Sequence, residues 1–214
     1  PVVKSNALIE AKYKLSLNEQ KIMYILISQI KPDDEIFKIY SIKIKKLMDI
    51  LGIENKTYYS VLRELLRGLK KKEIIIENLK FKGHFLDMNW LASAEYVGDG
   101  VIEIEISQKL KPYLLQLKTH FTVLELDRIL KLKSVYSIRL YEILFKEYCY
   151  YGKKRTIFIF SIRELKSMLG LKENQYSEVI TFKRKVLNVA EKELKAKSDF
   201  YFEYKTIKTG RAIT

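Results

Sequence analysis

Residues 41–52, SIKIKKLMDILG, and residues 161–170, SIRELKSMLG, repeat one pattern, and a basic amphipathic stretch follows each at the same distance, beginning near Tyr58 or Tyr176. Aligned on Gly52 and Gly170, with a two-residue gap upstream, the pairs Tyr58/Tyr176, Val61/Val179, Leu62/Ile180 and Leu69/Leu187 fall in register. Internal duplication decides architecture before any local reading does. In each copy a long apolar-periodic helix precedes a short β-rich strand, a short helix, a turn at the glycine, a longer helix and further strands. A helix-turn-helix with a strand before it and a β-hairpin after it is a winged helix. The sequence therefore predicts an α+β fold of two tandem winged-helix domains, residues 1–117 and 118–214.

Upstream of the first copy, residues 15–30 (LSLNEQKIMYILISQI) place Leu15, Ile22, Leu26 and Ile30 on one helical stripe, with Ser16 as N-cap and Glu19 completing a capping box. Pro32 and the acidic residues 33–35 end that helix. Residues 36–42 alternate as a strand, a short helix follows near 43–51, and a longer one near 57–72 buries Val61, Leu62, Leu65, Leu66 and Leu69. At about 100° per residue its opposite face carries Lys56, Ser60, Arg63, Arg67 and Lys71. Residues 73–106 read as strands: EIIIEN, FLDMNWLASAEY, a turn at Gly98, Asp99 and Gly100, and VIEIEI, whose Ile102, Ile104 and Ile106 face a core. Edge pairing of this last strand, residues 101–106, is the expected dimer interface. A helix near 107–117 leads into the second copy.

There, TVLELDRILKL (122–132) and SVYSIRLYEILFKEY (134–148) read as two helices, the second capped by Ser134. A basic turn at 150–155 precedes a strand, TIFIF (156–160), and a short helix over 162–169 ends at Gly170 in left-handed backbone. The longer helix, 176–196, buries Val179, Phe182, Val186, Ala190 and Leu194, widened by Ile180 and Leu187. Its outer face presents Ser177, Thr181, Arg184, Lys185, Asn188, Lys192 and Lys195, while Lys183 points nearer the apolar side and must snorkel. Residues 200–213 form the wing, with alternating Phe200, Phe202 and Tyr204 and with Lys205, Lys208 and Arg211 along it.

A net charge of +14 implies an anionic partner, and its placement says which copy meets it. Residues 1–110 hold 18 Lys+Arg against 15 Asp+Glu, a net of +3; residues 111–214 hold 22 against 11, a net of +11. An α-helix fits the DNA major groove, where Arg184 suits guanine's paired acceptors and Asn188, Ser177 and Thr181 suit neighbouring base edges. Lys185, Lys192, Lys205, Lys208 and Arg211 suit phosphates. A charged stripe is ordinarily just a solvated helix face; its recurrence at the same place in both copies argues for a shared use.

Other chemistry is thinly represented. The single cysteine, Cys149, excludes an intrachain disulfide and fits a reducing cytoplasm. No apolar run approaches the ~20 residues of a membrane span, no signal peptide is visible, and an opening on Pro1 instead of methionine implies a trimmed N-terminus. The phosphate-loop pattern GxxxxGK[ST] does not occur, and His84 and His120 are isolated, so neither a cofactor nor a metal is expected. A nicking enzyme needs clustered histidines beside a nucleophilic tyrosine, and 15 tyrosines without that cluster do not make one.

Four segments carry a family resemblance: residues 5–28 (SNALIEAKYKLSLNEQKIMYILIS), 132–144 (LKSVYSIRLYEIL), 160–171 (FSIRELKSMLGL) and 182–194 (FKRKVLNVAEKEL). Together and in this order the chain resembles the initiator replication proteins of iteron-containing bacterial plasmids. Val189 departs from the family's commoner proline. The resemblance implies that Arg184, Lys185 and Asn188 lie on the principal base-reading helix, with Arg63 and Arg67 on an auxiliary one in a first domain that also mediates dimerisation. It further implies double-stranded DNA partners (plasmid origin repeats bound by monomers, an operator bound by a repressing homodimer), recruitment of host helicase and polymerase factors, and a cytoplasmic, plasmid-associated location without membrane contact. Three alternatives stay open: a winged-helix repressor without a replication role, a DNA-nicking enzyme, and a module whose basic helices meet an acidic protein.

Overall fold

The chain enters as β1 (Val2–Ser5), and Ser5 then caps α1 (Asn6–Glu10), its Oγ accepting from the Leu8 amide at 3.2 Å. After the two-residue β2 (Lys12–Tyr13), the capping box expected at α2 (Leu17–Ile27) is present: Ser16 Oγ accepts from the Glu19 amide, and Glu19 Oε2 accepts from the Ser16 amide at 2.6 Å. The computed structural model describes residues 1–54, 58–78, 84–209 and 212–213.

The first module is β3 (Tyr40–Lys43), α3 (Ile44–Leu51), α4 (Tyr58–Lys70), β4 (Glu73–Asn78), β5 (His84–Asn89), β6 (Leu91–Gly98) and β7 (Val101–Ile106). One sheet has the order β3-β7-β6, the first-third-second arrangement of a winged helix, and its wing turns through Gly98, Asp99 and Gly100, all at positive φ. A second sheet, β2-β4-β5, joins the hairpin β4–β5, which lies between α4 and β6 in the chain, to the early strand β2. Residues 36–39 do not join the strand expected at 36–42. Asp34 accepts from the Lys31 amide and pairs with Lys38, folding this segment back so that Phe37 reaches the core while Ile36 and Ile39 stay exposed.

The dimer expectation for strand 101–106 is corrected by the pairing. β7 is hydrogen-bonded on both sides, with Tyr40↔Ile104 and Ile42↔Ile102 toward β3, and with Leu91↔Ile106 and Ala94↔Ile104 toward β6. A central strand has no edge to offer, and Ile104 is fully buried. A charged residue at Ile104 therefore tests folding and not self-association.

The expected helix at 107–117 shortens to a 3₁₀ turn (Gln108–Leu110) and α5 (Lys111–Leu114), ending before Gln116 at φ 48°. The first half of the segment at 122–132 is β8 (Phe121–Leu124), and only α6 (Leu126–Lys131) is helical. Alternation explains this: Thr122 and Leu124 face inward, Phe121 and Val123 outward, and β1 supplies the partner with Val2↔Leu124 and Ser5↔Phe121. The N-terminal strand is thus paired with residues far along the chain. Ser134 caps α7 (Val135–Tyr150), accepting from the Tyr136 and Ser137 amides.

These neighbours also change the reading of α2. Every residue from Glu19 to Ile27 is buried, not one stripe, because α3 and α4 cover one side while α6 and β1 cover another. Its one deep cation, Lys21, donates to the Leu130 carbonyl at 2.8 Å.

The second module holds α8 (Ile162–Met168), a helix running through α9 (Val179–Phe182), a π turn (Lys183–Leu187) and α10 (Asn188–Lys197), then β9 (Lys208–Thr209) paired with β10 (Ala212–Ile213). Residues 200–204 keep the expected alternation, and Phe160, Phe202 and Tyr204 pack on the second core, but among the described residues no ladder joins 156–160 or 200–207. Gly52 and Gly170 share the left-handed backbone, at φ 68° and 64°. The serines of the repeated pattern are not equivalent. Ser161 caps α8 in a capping box with Glu164, whereas Ser41 lies on β3 and donates to Glu103, the N-cap of α3 being Lys43 with no side-chain bond. Ser161→Ala is expected to lower unfolding stability by about 1 kcal/mol in urea titration, and Ser41→Ala by only a few tenths, on the order of an exposed surface change.

Candidate nucleic-acid interface

The outer face of the second module is built on the turn after Gly170. Tyr176 sits there at φ 54°, its hydroxyl 3.2 Å from that of Tyr136 and its carbonyl accepting from Lys166 Nζ at 2.8 Å. This bracing delays the helix to Val179, three residues later than expected, and leaves Ser177 exposed in the preceding loop.

The sequence poses a geometric problem that the π turn solves. Phe182, Val186, Ala190 and Leu194 recur every four residues, and in a regular α-helix such a row drifts by about 40° at each step. All four are nonetheless fully buried. The wider turn at Lys183–Leu187, closed by the Asn188 amide on the Lys183 carbonyl, takes up the drift. Arg184, Asn188 and Lys192 have the same spacing, so the same turn keeps this exposed row aligned along the helix. The phase it sets also corrects one expectation: Ile180, read as widening the buried stripe, is 72% exposed. The buried positions Phe182 and Val186 match Leu62 and Leu66 of α4 two residues beyond the glycine register, and Ala190 matches Leu69 three beyond.

The wing touches this helix. Tyr204 OH donates to Asn188 Oδ1, and Lys183 lies 5.5 Å over the Tyr204 ring with its Nζ on Thr206 Oγ1 at 3.4 Å. Burial, then the Glu191 charge, pushes the Tyr204 hydroxyl pKa up, so it stays protonated and holds the Asn188 amide oxygen, leaving the Nδ2 donors directed elsewhere. Arg184, Lys185, Lys192 and Lys205 are exposed, and Thr181 is half-buried with its hydroxyl on Glu178 at 3.2 Å. Lys195 is tied to Glu203 at 3.5 Å. Arg211 and the Lys208 side chain lie outside the described residues.

On α4, Leu62, Leu66 and Leu69 are buried, and Ser60, Arg63 and Arg67 lie exposed on the other side, followed by exposed Lys71. Arg67 has a loose 3.9 Å pair with Glu64; both side chains are largely in water, where such a pair contributes little. Tyr59 meets the wing residue Tyr96 edge-on at 5.4 Å, so each module docks a wing tyrosine on its helix. Lys56 lies outside the described residues. Tyr96 and Lys166 are not among the sequence candidates; Tyr204 reads from sequence as a wing aromatic and Tyr176 as a helix start, but their contacts with Asn188, Tyr136 and Lys166 join segments whose proximity the sequence does not show. Among the described residues no group of three or more His, Cys, Asp or Glu could hold a metal ion, and no helix is long and apolar enough to cross a membrane.

Two family models match the chain: initiator replication protein WH1 over residues 1–145, and initiator Rep protein WH2 over 161–214. An Escherichia coli replication initiation protein is 28% identical over 202 residues, covering 92% of this chain and 63% of its own length. The PI protein of Escherichia coli is 29% identical over 240 residues, covering 98% of this chain and 78% of its own. The crystal structure of Pi initiator protein in complex with iteron DNA superposes with a TM-score of 0.74 at 23% identity, over 99% of this chain and 93% of that one, a likeness of fold.

Proposed function

The chain belongs to the initiator replication protein family, and we propose that it starts plasmid replication by binding repeated origin DNA through both helix-turn-helix units. The supporting observation is the aligned, exposed row Arg184, Asn188 and Lys192 on the helix of the more basic half. In this reading Arg184 takes guanine O6 and N7, and the Asn188 amide, with its oxygen engaged by Tyr204, offers its donors to base acceptors nearby. Ser177 and Thr181 flank that contact, and Lys185, Lys192 and the wing's Lys205, Lys208 and Arg211 neutralise phosphates. Lys56, Ser60, Arg63, Arg67 and Lys71 add an auxiliary contact from the first domain. Monomers on origin repeats open adjacent A·T-rich duplex and recruit host helicase and polymerase factors, while a homodimer represses the chain's own promoter; none of this calls for catalysis.

Arg184→Ala is expected to relax selectivity at one base position by ~1–3 kcal/mol, whereas Lys192→Ala weakens all duplexes alike and lowers the salt slope by about one. Binding titrations on point-substituted duplexes at several salt concentrations separate the two, and equal effects contradict the assignment. The function itself is tested by supplying the protein to cells that carry a plasmid whose only origin is the cognate repeat array. Maintenance of the plasmid supports an initiator. Promoter repression without maintenance favours the repressor reading, and relaxation of supercoiled plasmid by the purified protein with Mg²⁺ favours a nickase.

A further inference from the structure

Tyr13 joins parts of the molecule that are distant in sequence. It lies on β2, which pairs with β4 through Tyr13↔Ile74, and β4 begins three residues after α4 ends. Its ring meets Trp90 edge-on at 4.9 Å, between β5 and β6. On the other side its backbone lies against the second helix-turn-helix, where a Cβ built on Gly170 would stand 2.2 Å from the Tyr13 carbonyl oxygen. Only β2 and the β2–β4 ladder therefore separate the turn of the second unit from the end of the first unit's outer helix.

A buried ionic knot clamps this joint. Arg139 on α7 stacks 4.0 Å from the Tyr13 ring centroid, and its Nη1 donates to the Tyr13 hydroxyl and to Glu142 Oε2. Its Nη2 donates to three carbonyls: Ile9 at 2.8 Å, Ala11 at 3.3 Å and Met168, in the last turn of α8, at 2.8 Å. Lys4 pairs with Glu142 at 2.6 Å and donates to the Tyr13 hydroxyl at 3.0 Å. Lys4, Tyr13, Arg139 and Glu142 are each at most 4% exposed. The knot holds two cations and one anion, and the carbonyls answer the excess charge. Arg139 thus touches the N-terminal segment, α7 and the second helix-turn-helix at once.

We propose that Arg139 and Tyr13 are positioning residues that set the distance and angle between the two outer helices, so that one molecule selects DNA by the spacing of the two segments it contacts. This rests on the reading above, in which both helices engage one duplex. Inserting two base pairs between the segments rotates one relative to the other by about 70° and moves it about 7 Å, a mismatch a rigid joint transmits and a loose one absorbs.

Arg139→Met is the discriminating variant, because it leaves Lys4 and Glu142 as a balanced pair and removes only the clamp. Tyr13→Phe, which keeps β2 and the Gly170 contact, is the second should the first not fold. Full-length proteins, checked for fold by circular dichroism, are titrated against a footprinted upstream duplex, versions with two base pairs inserted or deleted between the protected segments, and a shuffled duplex. The wild type is expected to lose on the order of tenfold or more on either spacing change. The folded variants are expected to prefer the native to the shuffled duplex yet to bind the three spacings within about threefold. Folded variants that keep the wild-type spacing penalty, a single protected segment, or a wild type indifferent to spacing each overturn the inference while leaving specific binding intact. A wild type that does not distinguish native from shuffled duplex overturns the reading of function and this inference with it.

Discussion

Gly170→Ala is expected to destabilise the protein by about 3–4 kcal/mol, whereas Gly52→Ala costs about 1–2 kcal/mol. The two glycines occupy the same place in the two modules and share a left-handed φ, so the backbone cost of a side chain is common to both. Their surroundings differ. A Cβ on Gly52 meets nothing within 4 Å, while one on Gly170 stands 2.2 Å from the Tyr13 carbonyl oxygen and 2.5 Å from its carbon. Backbone cannot rotate aside as a flexible side chain does, so either β2 leaves β4 or the helix-turn-helix shifts. Parallel urea unfolding of the two variants checks this, and equal losses contradict the assigned contact.

Glu142→Gln is expected to cost about 3–5 kcal/mol, the largest effect of a single near-isosteric change here. The substitution keeps volume but leaves Lys4 and Arg139 buried with no anion. Burial alone pushes the Glu142 carboxyl up, but the Lys4 and Arg139 charges and the hydrogen bond from Lys4 outweigh it and hold the pKa below the ordinary value of 4.5. A carboxyl lowered in the folded state contributes stability above its unfolded pKa, and that contribution is lost as pH falls through the folded value. Wild-type stability should therefore drop on acidification below about pH 4.5, and the Glu142→Gln variant should lack that component. Unfolding curves collected from about pH 3 to 7 read both effects; parallel pH profiles for the two proteins would mean that the buried Glu142 carboxylate is not stabilised by Lys4 and Arg139.

Local signals were legible where local chemistry decides the outcome. Ser16 with Glu19, Ser134 and Gly170 mark helix ends through hydrogen bonds and backbone angles a few residues long, and the structure has each of them. The duplicated order of elements carried the tandem winged-helix fold for the same reason. Pairing between distant segments was not legible. Phe121–Leu124 alternates clearly, but its partner is Val2–Ser5, and an apolar run beside a helix reads as helix until that partner is known. VIEIEI showed its buried face but not its neighbours, since alternation is identical in edge and central strands.

The candidate interface divides along the same line. Residue types and spacing mark the basic face, whereas the four-residue intervals of the buried row imply a π turn only once all four side chains are seen to face one core. The Arg139–Glu142 pair has the spacing of an ordinary surface pair on a helix, i to i+3. Only the arrival of Lys4, Tyr13 and Met168 from elsewhere in the chain turns it into a buried joint.

Whether the two outer helices bind DNA sequence-specifically is decided by one titration: the full chain against duplex from immediately upstream of its own gene, beside a shuffled duplex of equal composition, at near-physiological salt. Preference for the native duplex by ~10³-fold or more is expected, with protection repeating at regular intervals. Equal, salt-sensitive affinity for both duplexes would contradict it and reduce the basic faces to a nonspecific electrostatic surface.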